Sequence, residues 1–221
     1  MYYTGSNAFA SLRQGLVGAW CPSLPNGGSG NTLADVSGHG NHGSLVNMSP
    51  DDWVSGQYGR ALDFDGVDDY VAADGRFPTV GIATNFSASV WFYVTSVPSG
   101  RRQLSANPII VANDFAPILE INGALTIRAD NAGLAAYVFA DSVNVPTNQW
   151  VHAAGVWDGG RKVASLYKNG VLIGTVDYTA NAANNTNKTK WLLGALEYEG
   201  SVIHHLPGRI DDSRIYSRAL S

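Results

Sequence analysis

The stretch DVSGHGNHG at positions 35–43 brings together the side chains in this chain that are best suited to hold a cation. It contains Asp35, Asn41, two histidines and three glycines. Glycine weakens helix and strand interiors and readily adopts positive φ, so the stretch is predicted to be a tight loop. In such a loop, backbone carbonyls and short polar side chains can turn towards one point. The first hypothesis is therefore a cation bound at this loop.

Two ions and a metal-free loop compete as explanations of this stretch. Calcium prefers roughly six to eight oxygen ligands, which carboxylates and loop carbonyls supply. Zinc would use His39 and His42, but a third ligand is not obvious, because His204 and His205 would point to opposite faces of an extended strand. Without a metal, Asp35 would accept hydrogen bonds from amides of its own loop. The oxygen-rich composition favours calcium.

A second group of acids lies in the segment RALDFDGVDDYV at 60–71. Apolar Leu62 and Phe64 alternate with acids, and Gly66 follows, which together predict a strand that ends in a turn. The four acids are Asp63, Asp65, Asp68 and Asp69. They are predicted to form the turn through side-chain to backbone hydrogen bonds, with a second metal site as the alternative.

A strand pattern at 86–94, FSASVWFYV, supplies the first candidates for contact with a ligand. Alternate residues from Phe86 to Val94 form one apolar face, which is typical of a strand with that face in the core. The other face carries two aromatic side chains that could stack on a sugar ring or support loops. The candidate sugar-binding aromatics of the whole chain are Trp91, Tyr93, Tyr137 and Tyr167. Core packing is the alternative for each of them.

Composition excludes several classes of function. The chain has 221 residues, of which 45% are apolar and 14% are charged, so it is predicted to fold as one globular domain. Its net charge is −4 and it has no basic block, so no nucleic-acid partner is expected. Cys21 is the only cysteine, which excludes a disulfide framework and predicts a buried apolar side chain. No window approaches about 18 apolar residues, so no membrane span is expected.

Short strands separated by turn residues run through most of the chain. The pairs at 122–123 and 169–170 are both Asn-Gly between extended segments, which predicts two-residue type I′ hairpins. About a dozen strands, spaced by roughly 8–12 residues and without a convincing helix, predict an all-β fold of two antiparallel sheets packed as a sandwich. Residues 1–14 are aperiodic and are predicted to be an N-terminal arm, and 15–221 are predicted to be the sandwich domain.

An ordered set of motifs extends from residue 15 to the last residue. The motifs are GLVGAW at 15–20, DVSGHGNHG at 35–43, GRALDFDGVDDYV at 59–71, FSASVWF at 86–92, WVHAA at 150–154, LYKNG at 166–170 and GRIDDSRIYSRALS at 208–221. Each motif alone is weak evidence for a family, but the ordered set is specific. It resembles the laminin-G-like group of the concanavalin A-like lectin/glucanase superfamily over about 15–221.

The resemblance implies a jelly-roll sandwich with one concave and one convex sheet. It also implies a binding module that is usually non-catalytic and often binds glycans. A structural Ca²⁺ is common in the family, where the loop at 35–43 and the last strand come close in space. Carried onto this sequence, the implied calcium ligands are Asp35, Asn41, Asp211 and Asp212, with carbonyls of the loop. Such an ion would tie the start of the sandwich to its end.

Catalysis is not expected. The glucanase members of the superfamily use paired glutamates on one strand, and glycoside hydrolysis in general needs two carboxylates at a fixed separation. This chain has three glutamates, Glu120, Glu197 and Glu199, and no Glu-x-Asp-x-Glu pattern. It also lacks the Gly-x-Ser-x-Gly turn that would support a serine nucleophile.

Three functions remain. The first is a lectin-like binding or adhesion module whose partner is a glycan or a surface protein. The second is a structural virion component, such as a phage capsid decoration, fibre or tail protein, which would dock on a capsid or tail shell protein through residues 1–14. An accessory domain of a secreted hydrolase is a third alternative that the native-looking N-terminus disfavours. The first two place the protein outside the cell or on a virion surface, although residues 1–14 do not form a signal peptide.

Overall fold

The computed structural model describes residues 13–75, 77, 84–106, 115–131, 135–178 and 190–220. Apart from one turn of 3-10 helix at Pro50–Asp52, the regular elements are strands. In chain order the strands are β1 (Leu16–Trp20), β2 (Gly28–Ser29), β3 (Thr32–Leu33), β4 (Gly43–Val46), β5 (Trp53–Gly56), β6 (Gly59–Asp65), β7 (Tyr70–Asp74), β8 (Phe86–Tyr93), β9 (Arg102–Ala106), β10 (Phe115–Asn122), β11 (Ala124–Asn131), β12 (Ala135–Asn144), β13 (Trp150–Asp158), β14 (Val163–Lys168), β15 (Val171–Asp177), β16 (Lys190–Leu193), β17 (Leu196–Tyr198), β18 (Ser201–Ile203) and β19 (Pro207–Tyr216). Most of the predicted arm at 1–14 lies outside the described residues.

The strands form two large sheets and a small hairpin. The front sheet has the order β15-β14-β13-β8-β19-β6-β5, and β1 pairs with the other part of β19. The back sheet has the order β12-β11-β10-β9-β16-β7-β4-β3-β2, and β17 pairs with β18. All described strand pairs are antiparallel. The prediction of an all-β antiparallel sandwich is confirmed. The described residues contain no helix that is long and apolar enough to cross a membrane.

Strand β8 at the centre of the front sheet follows the predicted alternation. Phe86, Val90 and Phe92 are buried in the core between the sheets, because successive side chains of a strand point to opposite faces. Trp91 and Tyr93 lie on the outer face and are half-buried. The period of the sequence thus determines which side chains of β8 remain available to solvent.

Large aromatic side chains fill the space between the two sheets. Trp20, Trp157 and Trp191 are each 1% exposed, and they come from β1, β13 and β16. The ring of Phe86 lies 5.9 Å from that of Trp157 and 5.1 Å from that of Trp191. Truncation of such a buried ring costs about 3–5 kcal/mol, so these contacts hold the two sheets together.

The hairpin at Asn169-Gly170 has the predicted geometry. Lys168 pairs with Val171, and the two residues between them have φ of 50° and 80°. A type I′ turn requires positive φ at both central residues, which Asn and Gly tolerate best. This prediction is confirmed.

The turn at Asn122-Gly123 is tighter than the sequence predicts. Asn122 stays in β10 and pairs with Ala124, so that Gly123, with φ of 73°, is the turn residue in the left-handed region. The carbonyl of Gly123 accepts a 3.0 Å hydrogen bond from the amide of Val145, which fixes the turn from outside. The prediction of a two-residue type I′ turn here is wrong.

Candidate functional site

The outer face of the front sheet carries a row of aromatic rings. Strands β8 and β13 are neighbours, and their register sets Trp91 opposite His152 and Tyr93 opposite Trp150. The ring centroids are 5.2 Å apart in the first pair and 5.7 Å apart in the second. Cross-strand aromatic pairs of this kind stabilise a sheet. All four side chains are half-buried, so each also presents surface to solvent.

Tyr58 joins this row from a different part of the front sheet. It lies in the turn between β5 and β6, and its ring stands edge-on to Trp91 at 5.5 Å with an interplanar angle of 88°. Its side chain is 57% exposed. Edge-to-face rings at this distance attract each other. Tyr58 and Trp91 therefore form an aromatic corner that is open to solvent.

Asp211 holds the Tyr58 turn in place. It lies on β19 directly opposite Trp91 of β8 and is 1% exposed. Its Oδ2 accepts a 3.0 Å hydrogen bond from the amide of Tyr58. Its Oδ1 is buried and has no hydrogen-bond partner among the described residues. Burial raises the pKa of Asp211, although the facing amides of Tyr58, Asp212 and Gln57 oppose this effect.

Two cavities of about 480 Å³ each meet at Trp91. The first is lined by Tyr58, Trp91, Asp211, Asp212, Arg214 and the Cys21–Leu24 region. The second is lined by Gln57, Trp91, Trp150, His152, Asn169 and Gly170. Each volume lies in the range of about 300–1,000 Å³ that is typical of small-molecule sites. We call the two cavities together the Trp91 groove.

The remaining charges in the first cavity are paired with each other. Arg214 donates two hydrogen bonds to the carboxylate of Asp212, at 2.8 and 2.9 Å. The thiol of Cys21 donates to Asp212 Oδ1 at 2.8 Å. Burial and the charge of Asp212 raise the pKa of Cys21 to about 12, so the thiol stays protonated. Cys21 is buried, as the sequence predicts, and in this state it is a hydrogen-bond donor without nucleophilic character.

Asp35 organises its own loop. Its Oδ1 accepts hydrogen bonds from the amides of Ala19 and Ser37 at 2.9 and 2.8 Å. Its Oδ2 accepts from the hydroxyl of Ser37 at 2.8 Å and from the amide of Asn41 at 2.9 Å. Burial alone would raise the pKa of Asp35, but these hydrogen bonds outweigh it and lower the pKa. Asn41 in turn donates through Nδ2 to the carbonyl of Val17 at 2.7 Å, which ties the loop to β1.

Strand β1 lies between this loop and β19. Trp20 of β1 pairs with Ser213 of β19 on one side and forms a bridge with Asp35 on the other. Neighbouring strands are about 4.8 Å apart, which separates the backbones at Asp35 and β19 by roughly 9–10 Å. Carboxylates that share one calcium, each at about 2.3–2.6 Å from the ion, must lie within roughly 5 Å of each other. The described acidic cluster that meets this spacing contains neither Asp35 nor Asp211. The hydrogen bonds of Asp35 fit the alternative in which it caps amides.

The four implied calcium ligands therefore serve three different local roles. Asp35 and Asn41 act within the loop, Asp211 holds the Tyr58 turn, and Asp212 pairs with Arg214. A calcium ion shared by Asp35, Asn41, Asp211 and Asp212 stays a prediction.

The loop histidines also have local partners. His42 Nδ1 accepts a 3.0 Å hydrogen bond from the amide of Asp35, and His39 Nδ1 lies 3.2 Å from the hydroxyl of Ser37. Within the described ranges, no group of three potential metal ligands includes a histidine. The zinc alternative gains no support from this arrangement.

The acidic turn between β6 and β7 is the described cluster that could hold a metal ion. Ligand atoms of Asp65, Asp68 and Asp69 lie within 4.8 Å of one another. As the sequence predicts, these acids also form the turn: Asp65 Oδ1 accepts from the amides of Val67, Asp68 and Asp69 at 2.7, 3.2 and 3.4 Å. Burial and the neighbouring acids Asp65, Asp52 and Asp68 raise the pKa of Asp69. A cation would offset this repulsion.

Comparison with known proteins identifies the family. A family model, Laminin_G_3 of the concanavalin A-like lectin/glucanases superfamily, matches residues 65–221, which is more than half of the chain. The chain belongs to this laminin-G-like family. The superfamily predicted from the ordered motifs is thereby confirmed. No curated protein sequence matches the chain.

Several solved structures share the fold of this laminin-G-like domain. Domain 4 of AbnA, a GH43 extracellular arabinanase from Geobacillus stearothermophilus solved with arabinotriose, is 19% identical with a TM-score of 0.69, over 93% of this chain and 94% of that one. The botulinum neurotoxin serotype D binding domain is 15% identical with a TM-score of 0.67, over 95% and 50%. The Ruminococcus gnavus IT-sialidase CBM40 is 22% identical with a TM-score of 0.54, over 63% and 79%. At these identities the likeness establishes a shared fold.

The four aromatic residues predicted to bind sugar fall at different places in the laminin-G-like fold. Trp91 lines both cavities of the Trp91 groove, and Tyr93 is stacked beside it against Trp150. Tyr167 lies on β14 and lines a separate cavity of about 690 Å³. The side chain of Tyr137 lies outside the described residues. Ligand binding by these four residues stays a prediction.

Sequence reasoning missed three ring-bearing residues of the groove. Trp150 and His152 alternate with buried Val151 and Ala153, so the period of β13 already indicates that they face outwards. Their closeness to Trp91 depends on the pairing of β8 with β13, and the alternation of residues along one strand does not predict which strands pair. Tyr58 had no local signal, since its position is set by a hydrogen bond to Asp211.

Proposed function

We propose that this laminin-G-like domain is a carbohydrate-binding module and that its ligand lies in the Trp91 groove. The observation that carries the proposal is the half-buried Trp91 ring, which lines two cavities of about 480 Å³ each and stands beside the exposed ring of Tyr58. An apolar face of a sugar ring stacks on such an aromatic surface. Its hydroxyls meet polar groups at the rim, a combination typical of small-molecule sites.

Structures of the same fold support the carbohydrate class. The neighbouring structures include an arabinanase domain with arabinotriose and a sialidase module with sialyllactose. Their low identity to this chain does not specify its sugar. We also propose that the protein acts outside the cell or on a virion surface, and the extracellular arabinanase supports the first of these.

We propose that the module is non-catalytic. Glycoside hydrolysis requires two carboxyl groups on opposite sides of the scissile bond, about 5–9.5 Å apart. The carboxylates of the Trp91 groove are Asp211 and Asp212, which are adjacent on one wall, and Asp212 is paired with Arg214. Glu120 is buried and forms an ion pair with Arg101 at 2.9 Å. These positions support binding without cleavage.

A structural calcium is the second part of the proposal. The three acids Asp65, Asp68 and Asp69 and the sequence-predicted set Asp35, Asn41, Asp211 and Asp212 are the two alternative locations. The first set has the closer carboxylates.

The virion role remains an alternative use of the same fold. Its docking segment, residues 1–14, lies mostly outside the described residues, and no described contact favours a capsid or tail shell partner. Cosedimentation of the chain with purified virions, together with an absence of glycan binding, would favour that role.

The substitution Trp91→Ala tests the main proposal. Wild type and variant are applied to a glycan array, and the best neutral oligosaccharide is then titrated by calorimetry. Loss of a central aromatic contact of about 2 kcal/mol or more is expected to weaken binding at least roughly 30-fold. Tyr70→Ala, at a half-buried tyrosine of the back sheet, is the matched control and should bind as the wild type does. Equal binding by Trp91→Ala, or a folded wild type that binds no glycan, would refute the proposal.

A further inference from the structure

The carboxylate of Asp211 lines the first cavity of the Trp91 groove with one oxygen uncommitted. Asp211 is 1% exposed, and its Oδ2 already accepts the amide of Tyr58 at 3.0 Å. Its Oδ1 is buried and has no hydrogen-bond partner among the described residues. A buried acceptor without a donor is costly, and hydrogen bonds to a carboxylate are among the stronger ones. A ligand with a hydroxyl beside Trp91 can supply the donor.

The charges around this cavity do not favour an anion. Arg214 lines it, but its guanidinium donates two hydrogen bonds, at 2.8 and 2.9 Å, to Asp212. The guanidinium therefore offsets Asp212, and Asp211 remains as one net negative charge. A carboxylate placed beside Asp211 would meet a like charge in a partly desolvated site, which disfavours binding.

The second cavity adds no positive charge. Burial lowers the pKa of His152, so its ring is neutral near pH 7. Arg209 lies over the ring of Tyr93 at 5.5 Å, and it is paired with Asp63 at 3.1 Å. The two cationic side chains in these contacts, Arg214 and Arg209, each already have a carboxylate partner.

We infer that the Trp91 groove selects uncharged saccharides and disfavours saccharides that carry a carboxylate, with Asp211 as the residue that determines this specificity. This inference rests on the proposed function. A hydroxyl of the sugar donates its hydrogen to Asp211 Oδ1 while the ring stacks on Trp91. A carboxylate-bearing sugar keeps hydroxyls that can donate, but its negative charge is repelled by Asp211. Uncharged saccharides therefore form this hydrogen bond without the repulsion that acidic ones meet.

Matched sugar pairs test the selectivity directly. The probes are lactose with 3′-sialyllactose, and methyl-esterified oligogalacturonides with the same oligomers after saponification, in each case measured in EDTA. The wild type is expected to bind the uncharged member of a pair at least about tenfold more tightly. EDTA should leave the affinity unchanged. Binding that EDTA abolishes while the protein stays folded would show that Asp211 acts through a metal ion and would overturn the inference.

Two substitutions change the charge of the cavity without a large change in shape. Asp211→Asn keeps an oxygen for the amide of Tyr58 and removes the charge, and it is expected to reduce the preference for uncharged sugars at least threefold. Asp212→Asn removes the carboxylate partner of Arg214 and should tighten binding of the acidic sugar in each pair. Asp212 has φ of 43°, a conformation that Asn tolerates well, so this variant is expected to fold. Asp177→Asn is the control, because it removes the same charge from an exposed acid on β15.

The outcomes separate the inference from the proposed function. The wild type could bind the acidic sugars as tightly as the neutral ones, with both affinities lost in Trp91→Ala. That result would overturn the selectivity and leave the carbohydrate-binding function in place. An unchanged preference in both folded variants also overturns the role of Asp211. A folded wild type that binds no saccharide refutes the function and the inference together.

Discussion

The amide of Tyr58 donates a hydrogen bond of 3.0 Å to Oδ2 of Asp211, a residue 153 positions further along the chain. This bond ties the turn between β5 and β6 to the last strand of the front sheet. It also fixes the ring of Tyr58 against Trp91, which faces Asp211 across β8 and β19. One buried carboxylate thus determines the shape of the aromatic corner of the Trp91 groove.

The close approach of this turn to Asp211 requires glycine at position 56. A Cβ added to Gly56 would lie 2.6 Å from the carbonyl oxygen of Arg60 and 2.9 Å from Asp211 Oδ2. We predict that Gly56→Ala shifts the turn, lowers stability by about 1–3 kcal/mol and weakens glycan binding through Tyr58. Urea unfolding and calorimetry measure the two effects. Gly160→Ala, in a turn outside the groove, should leave affinity unchanged, and a Gly56→Ala variant with wild-type stability and affinity would contradict the prediction.

The fold was predictable because its signals are local. Alternation along β8 places Trp91 and Tyr93 on the outer face, and the Asn-Gly pair at 169–170 specifies its hairpin through the positive φ of both residues. Neither signal needs knowledge of distant strands. By contrast, the turn at Gly123 depends on a hydrogen bond from Val145 in the next connection, which propensity at the turn does not reveal.

The site was predictable only in part, because it is assembled by strand order. Trp91 was identifiable as an outward aromatic residue, but Trp150 and Tyr58 reach it only through the pairing of β8 with β13 and through Asp211. For Asp35 and Asp211, the family resemblance implied shared metal ligands. Strand β1 lies between the two, and each carboxylate has local partners instead.

The hydrogen bonds of Asp35 predict a loss of stability in acid. They lower its folded-state pKa below the ordinary value, so its carboxylate stabilises the fold above about pH 4. That contribution is lost as the pH falls through the lowered pKa. Asp35→Ala should therefore cost about 2–4 kcal/mol at pH 7 and less at pH 3. Urea unfolding at the two pH values measures both costs.

Asp51→Ala is the matched control for the acid experiment. Asp51 is an exposed acid in the 3-10 turn, and its loss should change stability by less than about 0.5 kcal/mol at either pH. A cost of Asp35→Ala that is the same at pH 7 and pH 3 would show that the charge of Asp35 does not contribute.

Calcium is predicted to stabilise the fold. Saturation at about 100 times the dissociation constant contributes about 2.7 kcal/mol, which corresponds to a rise in Tm of roughly 5–10 °C over the EDTA-treated protein. Differential scanning fluorimetry measures the shift. Asp68→Asn should abolish it, because Asp68 belongs to the acidic turn, whereas Asp35→Asn should keep it. The reverse pattern would place the ion at the sequence-predicted set, and the absence of any shift would exclude a structural calcium.

The two cavities on either side of Trp91 predict that affinity depends on ligand length. A disaccharide can fill the cavity beside Tyr58 and Asp211, whereas a tetrasaccharide also reaches the cavity lined by Trp150 and His152. Affinity for a neutral oligosaccharide series should therefore rise by at least about tenfold from two to four units, because a second aromatic contact contributes about 1–2 kcal/mol. Trp150→Ala should remove this gain and leave disaccharide binding unchanged, while Tyr70→Ala on the back sheet should alter neither. Calorimetric titrations with equal affinity across the series, or a Trp150→Ala variant that weakens all lengths alike, would show that the ligand occupies one cavity alone.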